Sequence, residues 1–404
     1  MNLEQMKRKY AYTLARLGLN VQKGQPVVVE AAIEGADFTP IFAEECYNLG
    51  ASNVIVHYHD EPNMKIAAKY RSDEEMRKLE NWEIERYQKY FDEGACIARL
   101  EGVNPLLMED VPESQANAIF AHTDTMRNVF RKAVREKGIQ WVIAMIPTQQ
   151  WAEYIMKDVP KENALEELWK LLLKICYIDE DNDVVETYAE NSKKKMERGN
   201  KIDEYNFTKF HYTASNGTDL TIQLTPYTKF GNGKRKPDPN RIVYHANIPS
   251  EELCSTPEKF GTEGVVFASK PLVLGGKKIE NFGFRFEKGK VVEVIANEGK
   301  EMLEALVAMD ENAGYLGEVA LVEYHSPISM SNIVYYCTLI DENASCHLAL
   351  GRGLGRPLPE DDPWTFNDSV IHIDFMMGTS DMRIVGTTPD GKEVTVFENG
   401  DFAL

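Results

Sequence analysis

The sequence contains no apolar run that approaches the roughly 20 residues of a membrane-spanning helix, so we expect no membrane partner. It also has no CxxC pair, no internal repeat and no low-complexity tract. The six cysteines are scattered along the chain, at positions 46, 96, 176, 254, 337 and 346. In a chain of 404 residues this scatter disfavours a disulfide framework, and it predicts reduced thiols and a cytoplasmic protein.

Basic residues are scarce. The chain has 45 Lys and Arg against 64 Asp and Glu, which gives a formal net charge of −19. Recognition of phosphate groups needs a basic surface, so we expect no nucleic-acid partner. The acidity favours cations instead, either metal ions or a substrate that carries an ammonium group.

The first 20 residues lack the continuous apolar core of a signal peptide. Instead, apolar side chains recur there at helical spacing, at Leu3, Met6, Tyr10, Leu14 and Leu17. This pattern predicts an amphipathic helix that belongs to the folded protein.

The first half of the chain does contain a regular alternation of short apolar segments and long polar ones. The apolar segments predict strands at 25–33, 52–59, 95–102 and 139–147. The polar segments between them predict helices at 38–50, 72–94 and 113–138, with Gly50 and Gly138 near two of the ends. Strands and helices in alternation are typical of a parallel sheet covered by helices.

The second half has a different pattern, which begins after a very polar helix predicted at 188–206. Alternating runs around Asn-Gly predict a hairpin at 206–226, and a second hairpin is predicted at 282–299. Further helices are expected at 301–312 and near His347. The predicted fold class is therefore α/β, with an N-terminal α/β domain at 1–200 and a C-terminal mixed α+β domain at 201–404.

The segment 367–378, NDSVIHIDFMMG, raises a chemical question, because His372 and Asp374 interrupt an apolar run. Alternate residues of a strand share a face, so the two side chains are expected side by side. Burying a neutral polar group without a partner costs about 2–7 kcal/mol, and a charge costs more. Other residues must therefore compensate this pair.

Other histidines and carboxylates in the second half can supply that compensation. His347 lies between small and apolar residues, Glu318 begins an apolar run, and Glu251 and Glu252 lie in a loop between two prolines. Consecutive residues point in different directions, so only one of the two loop glutamates is expected to face a buried site. At each position a hydrogen-bonded core residue is the alternative. Five of the six other histidines are expected to be ordinary surface or hydrogen-bonded residues: His57, His59, His122, His211 and His245.

Two glutamates, two histidines and one aspartate match the ligand count of two divalent metal ions bridged by a water. Nitrogen and oxygen ligands without thiolates suit zinc, cobalt or manganese. The spacing of these residues along the chain does not by itself decide whether they meet.

Four motifs follow one another in this half: NIPSEELCSTP, GYLGEVALVEYHSPIS, NASCHLALG and VIHIDFMMG. Together with LGLNVQKGQPVVVEAAIEGADFTP near the start, they resemble the thermophilic-type metalloaminopeptidases of peptidase family M29, which includes aminopeptidases T and S. The resemblance covers nearly the whole chain. It implies an α/β domain followed by a metal-binding domain, and a homodimer that encloses a cavity and admits short peptides.

The resemblance also implies a site and an activity. Five residues bind two divalent metal ions in that family, and in this chain they fall on Glu252, Glu318, His347, His372 and Asp374. Glu252 is preferred over Glu251 because relatives keep the second carboxylate of the pair. The implied enzyme is a metal-dependent aminopeptidase that releases N-terminal amino acids from short peptides with a metal-activated water. Glu318 or Glu252 is expected to act as its general base.

The chain departs from the family pattern at Leu354. The family carries a tyrosine seven residues after the metal histidine, where it is thought to assist the transition state, and losing such a donor costs about 10²–10³ in rate. Three residues are alternatives for that role: Tyr315, Tyr324 and Arg352. Glu323 replaces a usual proline and His325 a usual aspartate, and His325 is either a partner of a metal ligand or an incidental polar residue.

Two other functions stay open. Leu354 suggests the same fold with impaired or drifted amide hydrolase activity. A non-catalytic peptide-binding protein with a structural metal is the other alternative, although structural zinc sites are usually closed and rich in cysteine.

Overall fold

The computed structural model describes residues 2–404 except 106, 109, 113–114, 116–117, 120–125, 127–128, 135, 232–241, 275–276 and 355–357. His122 and parts of the helix predicted at 113–138 lie outside the described residues. The chain forms two compact units. The first contains Met1–Thr187, Pro237–Pro249 and Leu274–Lys277, and the second contains Tyr188–Lys236, Ser250–Val273 and Lys278–Leu404.

The helices follow here in chain order, for the described residues. They are α1 (Leu3–Thr13), α2 (Thr39–Asn48), α3 (Glu61–Tyr70), α4 (Asp73–Arg77), α5 (Asn81–Asp92), α6 (Gln149–Ile155), α7 (Lys161–Ile175), α8 (Val184–Tyr205), α9 (Lys300–Val307) and α10 (Thr338–Asp341). A π-helical turn at Leu14–Gly18 continues α1. None of these helices is both long and apolar enough to span a membrane.

The first ten strands of the described residues, in chain order, are β1 (Pro26–Ala32), β2 (Asn53–His59), β3 (Cys96–Glu101), β4 (Trp141–Met145), β5 (Lys209–Thr213), β6 (Asp219–Gln223), β7 (Asn247–Ile248), β8 (Leu253–Ser255), β9 (Thr262–Phe267) and β10 (Leu272–Leu274). The remaining strands are β11 (Lys277–Ile279), β12 (Phe282–Glu287), β13 (Lys290–Ala296), β14 (Leu316–Leu321), β15 (His347–Gly351), β16 (His372–Met376), β17 (Arg383–Thr387), β18 (Glu393–Glu398) and β19 (Asp401–Phe402).

The first unit is built on a parallel sheet with the strand order β2-β1-β3-β4-β7. The four strands predicted in the first half and their parallel arrangement are confirmed. The fifth strand, β7, is only two residues long, so no apolar pattern announces it. Apolar side chains of the strands and helices pack over the sheet, with Val28, Ile97, Tyr87 and Phe91 in one buried cluster.

The predicted helix at 72–94 is in fact two helices, α4 and α5. Lys78 adopts an extended conformation after α4, and Glu80 starts α5 with a capping box. The backbone N–H of Glu80 donates to the Glu83 carboxylate at 2.8 Å. In a continuous helix this N–H would instead donate to a backbone carbonyl oxygen. The helix α3 just before them was not predicted.

The second unit contains an eight-stranded antiparallel sheet and a four-stranded sheet. The predicted hairpins are β5–β6 and β12–β13, and both are confirmed. The helix expected near His347 is short and ends before that residue: α10 is continued by a 3-10 turn at Glu342–Ala344. His347 itself begins β15, whose five residues are all buried. The predicted boundary near residue 200 falls inside α8, and the division into 1–200 and 201–404 stays a prediction.

The two sheets of the second unit pack through aromatic side chains. Phe375 of β16 contacts Phe284 and Phe282 of β12, with ring centroids 5.1 and 6.2 Å apart. Phe375 is almost fully buried, and burying such a ring stabilises the fold by about 1.5–3 kcal/mol. Its neighbour Asp374 therefore points to the opposite face of the four-stranded sheet, which carries the polar residues described next.

Candidate metal centre

The four-stranded sheet, in the order β16-β15-β14-β8, has one apolar face and one face that gathers polar residues. Residues paired across neighbouring antiparallel strands share a face. Ala349 of β15 is paired with Glu318 on one side and with Asp374 on the other. His372 is paired with Gly351, two residues further along β15. His347 lies two residues before Ala349, so it belongs to the same face.

Small residues form the floor of this polar face. Ala349 lies between Glu318 and Asp374, and Ala320 lies between His347 and Cys254. Both alanines are fully buried. Their methyl groups leave space above the sheet, toward which the longer polar side chains converge.

A β-bulge puts Glu318 on the polar face. Leu316 is paired with Leu350 and Glu318 with Ala349, so Gly317 is the extra residue. Without the bulge, Glu318 would pair with Leu348 and point to the apolar face, because a shift of one residue changes the face. Only glycine fits at the bulge, since a Cβ on Gly317 would lie 2.3 Å from the carbonyl oxygen of Arg352.

The structure brings all five predicted site residues together, in a group that we call the cluster: Glu252, Glu318, His347, His372 and Asp374. It consists of two groups that share Glu318, and the donor atoms within each lie within 4.8 Å of one another. The first group contains Glu252, Glu318 and His347; the second contains Glu318, His372 and Asp374.

Imidazole nitrogens face carboxylate oxygens throughout the cluster. His347 Nε2 lies 3.1 Å from Glu252 Oε2 and 3.8 Å from Glu318 Oε1. His372 Nε2 lies 3.2 Å from Glu318 Oε2 and 3.6 Å from Asp374 Oδ1. His347 is 1% exposed and His372 is 21% exposed, so the cluster is buried at one end and open to solvent at the other.

The other ring nitrogen of each histidine fixes its orientation. His372 Nδ1 lies 2.6 Å from the carbonyl oxygen of Arg352, and His347 Nδ1 lies 3.3 Å from that of Ser345. A carbonyl oxygen only accepts hydrogen bonds, so both Nδ1 atoms donate. In the neutral imidazole this leaves Nε2 with a free lone pair inside the cluster, as a metal ligand requires.

Without an ion, protons serve as the positive charges of the cluster. Burial lowers the pKa of His372, but Asp374 and Glu318 outweigh it and raise the pKa to about 9. Burial also lowers the pKa of His347, while hydrogen bonds to Glu252 and Glu318 raise it well above the usual range. Burial raises the pKa of Glu318, but its hydrogen bonds to both histidines bring the pKa down to about 2.

These residues fit divalent metal ions. Neutral imidazole nitrogens and carboxylate oxygens are the donor set of zinc, cobalt and manganese sites. Three carboxylates against two neutral imidazoles also leave a surplus of negative charge in a buried place, which cations would offset.

The other candidate residues of the loops lie in separate surroundings. Leu354 is 52% exposed, and its backbone N–H donates to Thr256 Oγ1 at 2.9 Å. Tyr315 packs edge-on against Phe260, and Lys259 Nζ lies 4.8 Å from its ring centre. The described contacts of His325 are with Asp401 and with the Tyr324 ring, and neither residue is a candidate metal ligand. These contacts favour the interpretation of His325 as an incidental polar residue of the loop.

Two residues beside the cluster were not predicted. Cys254 is partly exposed, and burial together with the charges of Glu252 and Glu318 raises the pKa of its thiol well above the usual range. Burial and the charges of Asp374 and Glu252 likewise raise the pKa of Glu342 well above the usual range. The sequence did contain a signal for Cys254, because it alternates with Glu252 across Leu253 and so shares its face of the strand. No such pattern marks Glu342, because it lies in a 3-10 turn.

Comparisons with known proteins agree with this architecture. A model of the thermophilic metalloprotease family, M29, matches residues 3–402. Aminopeptidase AmpS of Bacillus subtilis (strain 168) is 34% identical over 411 residues, which cover 100% of both chains. Aminopeptidase 2 of Geobacillus stearothermophilus is 32% identical over 405 residues, which cover 98% of this chain and 97% of the relative.

A solved structure extends the agreement to the fold. The structure of wild-type AmpT from Thermus thermophilus has a TM-score of 0.90 and 29% sequence identity, and the match covers 100% of both chains. The family model, the full-length relatives and the shared fold lead to the same conclusion. The chain belongs to the M29 family of thermophilic metalloproteases.

Proposed function

We propose that this protein is a metal-dependent aminopeptidase that releases N-terminal amino acids from short peptides. The observation that carries the proposal is the cluster, in which three carboxylates and two imidazoles converge on one sheet face in two groups that share Glu318. Membership of the M29 family supports it, as do relatives named aminopeptidase at 32–34% identity.

The proposed cofactors are two divalent ions per chain, zinc, cobalt or manganese, held by Glu252, Glu318, His347, His372 and Asp374. When bound, such ions polarise a peptide carbonyl and lower the pKa of a water so that it attacks at neutral pH. The proposal also includes a homodimer, supported by the family resemblance, and a cytoplasmic location, supported by six free cysteines.

Glu252 is the better of the two candidate general bases. Glu318 is 5% exposed and belongs to both groups, so its carboxylate would be the one least free to accept a proton. Glu252 is 14% exposed and contacts one imidazole, His347. Its carboxylate is therefore proposed to take a proton from the attacking water and to pass it to the leaving amine.

The surplus of carboxylates also explains why the first peptide bond is the proposed target. A free N-terminus carries an ammonium group, which a carboxylate of the cluster would bind as an ion pair. After losing a proton, the same group would bind a metal ion as a neutral amine. Glu252 and Asp374 are each 14% exposed, so both carboxylates are open to such a group. Internal peptide bonds lack this charge and would be rejected.

A purified full-length protein tests the proposal. We expect release of the first residue from aminoacyl amides and dipeptides, loss of activity with a chelator, and recovery with zinc, cobalt or manganese. Nα-acetylated versions of the same peptides are the matched control, because acetylation replaces the ammonium group with an uncharged amide, and we expect no cleavage. Cleavage of acetylated peptides at equal rate, or activity indifferent to the chelator, would contradict the proposal.

Leu354 supports a second candidate, the same fold with impaired or drifted amide hydrolysis. Its side chain is 52% exposed and its backbone is held by Thr256, so the position accepts a larger side chain without repacking. If a tyrosine hydroxyl is missing from the reaction, Leu354→Tyr should raise kcat by about 10²-fold. Leu354→Phe is the control, because it adds the same ring without the hydroxyl. Equal rates for the two variants would show that no hydroxyl is needed there.

A further inference from the structure

Asn367 holds the backbone on both sides of Arg352. Its side-chain Nδ2 donates to the carbonyl oxygen of Gly351 at 2.6 Å, and its own carbonyl oxygen accepts from Gly353 N at 2.8 Å. The same Nδ2 lies 2.9 Å from the carbonyl oxygen of Asn312. Asn367 is 2% exposed, so water does not replace these bonds.

The carbonyl between those two anchors is the one that orients a cluster histidine. Arg352 O accepts the hydrogen bond from His372 Nδ1 at 2.6 Å. A shift of this carbonyl would rotate the imidazole and move Nε2 away from Glu318 and Asp374. Asn367 therefore acts on His372 through the backbone, without touching it.

A second buried asparagine, Asn343, has the corresponding place beside Glu252. Its Oδ1 accepts from the backbone N–H of Glu251 at 2.6 Å, and its Nδ2 donates to the carbonyl oxygen of Leu339 at 2.9 Å. Asn343 is fully buried. Since Glu251 directly precedes Glu252, this bond fixes the backbone from which the Glu252 carboxylate extends.

We propose that these two asparagines are positioning residues, each for one half of the metal centre: Asn367 for the group of His372 and Asp374, and Asn343 for the group of Glu252 and His347. The inference rests on the proposed function, because it assumes one ion in each group. The hydrogen bonds of the two asparagines described above share no partner, and the two groups share only Glu318. Damage to one half should therefore leave the other able to bind.

The test measures zinc affinity step by step on the full-length protein, by competition with a chromophoric chelator. Asn367→Leu and Asn343→Leu keep the side-chain size and remove its hydrogen bonds. Loss of a residue that orients a metal ligand typically costs 10- to 100-fold in affinity, so we expect each variant to weaken one step by about that factor and to spare the other. Asn182→Leu is the matched control, because it loses side-chain bonds to the backbone of Asp179 and Tyr177 but none to the cluster or to the two asparagines, and both affinities should stay unchanged.

Double variants assign each loss to its half. In a His372→Ala background, Asn367→Leu should cause no further loss, while Asn343→Leu should keep its full effect. In a Glu252→Ala background the pattern should be reversed. If either leucine variant fails to fold, Asn→Ser at the same position removes the side-chain bonds with a smaller change of shape.

Two results would overturn the inference: equal weakening of both steps by each asparagine variant, or the same weakening by Asn182→Leu. A wild-type protein that binds no zinc would instead defeat the proposed function, and one that binds a single ion would defeat its two-ion site. The two ideas therefore fail in distinguishable ways.

Discussion

The two units of the molecule each bury charge in a β-sheet, but they balance it differently. In the parallel sheet, Glu30 of β1 is paired in register with Arg99 of β3, and their side chains meet at 3.0 Å. One anion there faces one cation. In the four-stranded sheet, three carboxylates face two imidazoles that are neutral unless they take up protons. The charges of the Glu30–Arg99 pair balance within the chain, whereas those of the cluster balance only with added cations.

This difference separates a structural ion pair from a binding site. A carboxylate beside an always-charged guanidinium needs nothing more. An imidazole beside a carboxylate holds a proton on the nitrogen that faces it, and a metal ion competes with that proton for the same lone pair. The comparison therefore predicts that metal ions act on one sheet and leave the other unaffected.

The largest expected effect comes from removing the most buried ligand. His347→Ala should abolish both aminopeptidase activity and tight zinc binding, because the first group loses its nitrogen donor and leaves Glu252 without its partner. His211→Ala is the matched control: His211 lies on β5 of the same unit and pairs with exposed Asp219 at 2.7 Å. Full activity in His347→Ala would remove this residue from the site.

Metal loading should stabilise the protein by the next largest amount. A ligand at 1,000 times its Kd stabilises the state that binds it by about 4 kcal/mol. Calorimetry with and without zinc should show one transition moving to higher temperature, and a chelator should reverse it. Glu318→Gln should lose most of this increment, because Glu318 belongs to both groups. Equal stabilisation of Glu318→Gln by zinc would contradict the difference that we infer between the two sheets.

Much of the first unit follows from its sequence. Apolar segments such as Val27–Val29 and Ile97–Ala98 are buried on both sides, so strand, helix and parallel pairing are visible as a pattern. The alternation in His372-Ile373-Asp374 likewise predicted a strand with two polar residues on one face. Patterns of this kind are local, and they need no knowledge of the partner strand.

What the sequence did not reveal depends on contacts between distant segments. The bulge at Gly317 decides the face on which Glu318 lies, yet a glycine in a strand also fits many other roles. The anchoring roles of Asn343 and Asn367 depend on which carbonyls and N–H groups pack against them after folding. Resemblance to a family supplied the five-residue set, and spacing along the chain did not show that the residues meet.

Breaking the Glu30–Arg99 ion pair should lower the stability moderately and should change nothing else. Glu30→Gln leaves the Arg99 guanidinium, 16% exposed, without its carboxylate, and we expect a loss of about 1–3 kcal/mol in the free energy of unfolding. Adding Arg99→Met should recover part of it. Zinc affinity should stay unchanged in both variants, as measured by the same chelator competition. A loss of zinc affinity in Glu30→Gln would mean that the two charge sets are coupled.

The smallest effect, measured per pH unit, is a gradual dependence of metal affinity on pH. In the ion-free protein the pKa of His372 is raised to about 9, because Asp374 and Glu318 outweigh the effect of burial. Below that pH the imidazole holds a proton that an ion must displace, so affinity should fall as the pH falls and rise as the pH approaches 9. Each displaced proton changes the apparent affinity by about tenfold per pH unit.

Zinc titrations between pH 6 and pH 9, in buffers with different ionisation enthalpies, measure this release of protons directly. His372→Ala is the informative variant, because it removes the proton and the ligand together. The pH slope of overall binding should fall by the one proton that His372 holds, while the remaining step still displaces the proton of His347. The Glu30–Arg99 pair has no proton to exchange with an ion, so Glu30→Gln should leave the slope as it is. An unchanged slope in His372→Ala would place the displaced proton on His347 alone, whose pKa is raised as well by Glu252 and Glu318 despite its burial.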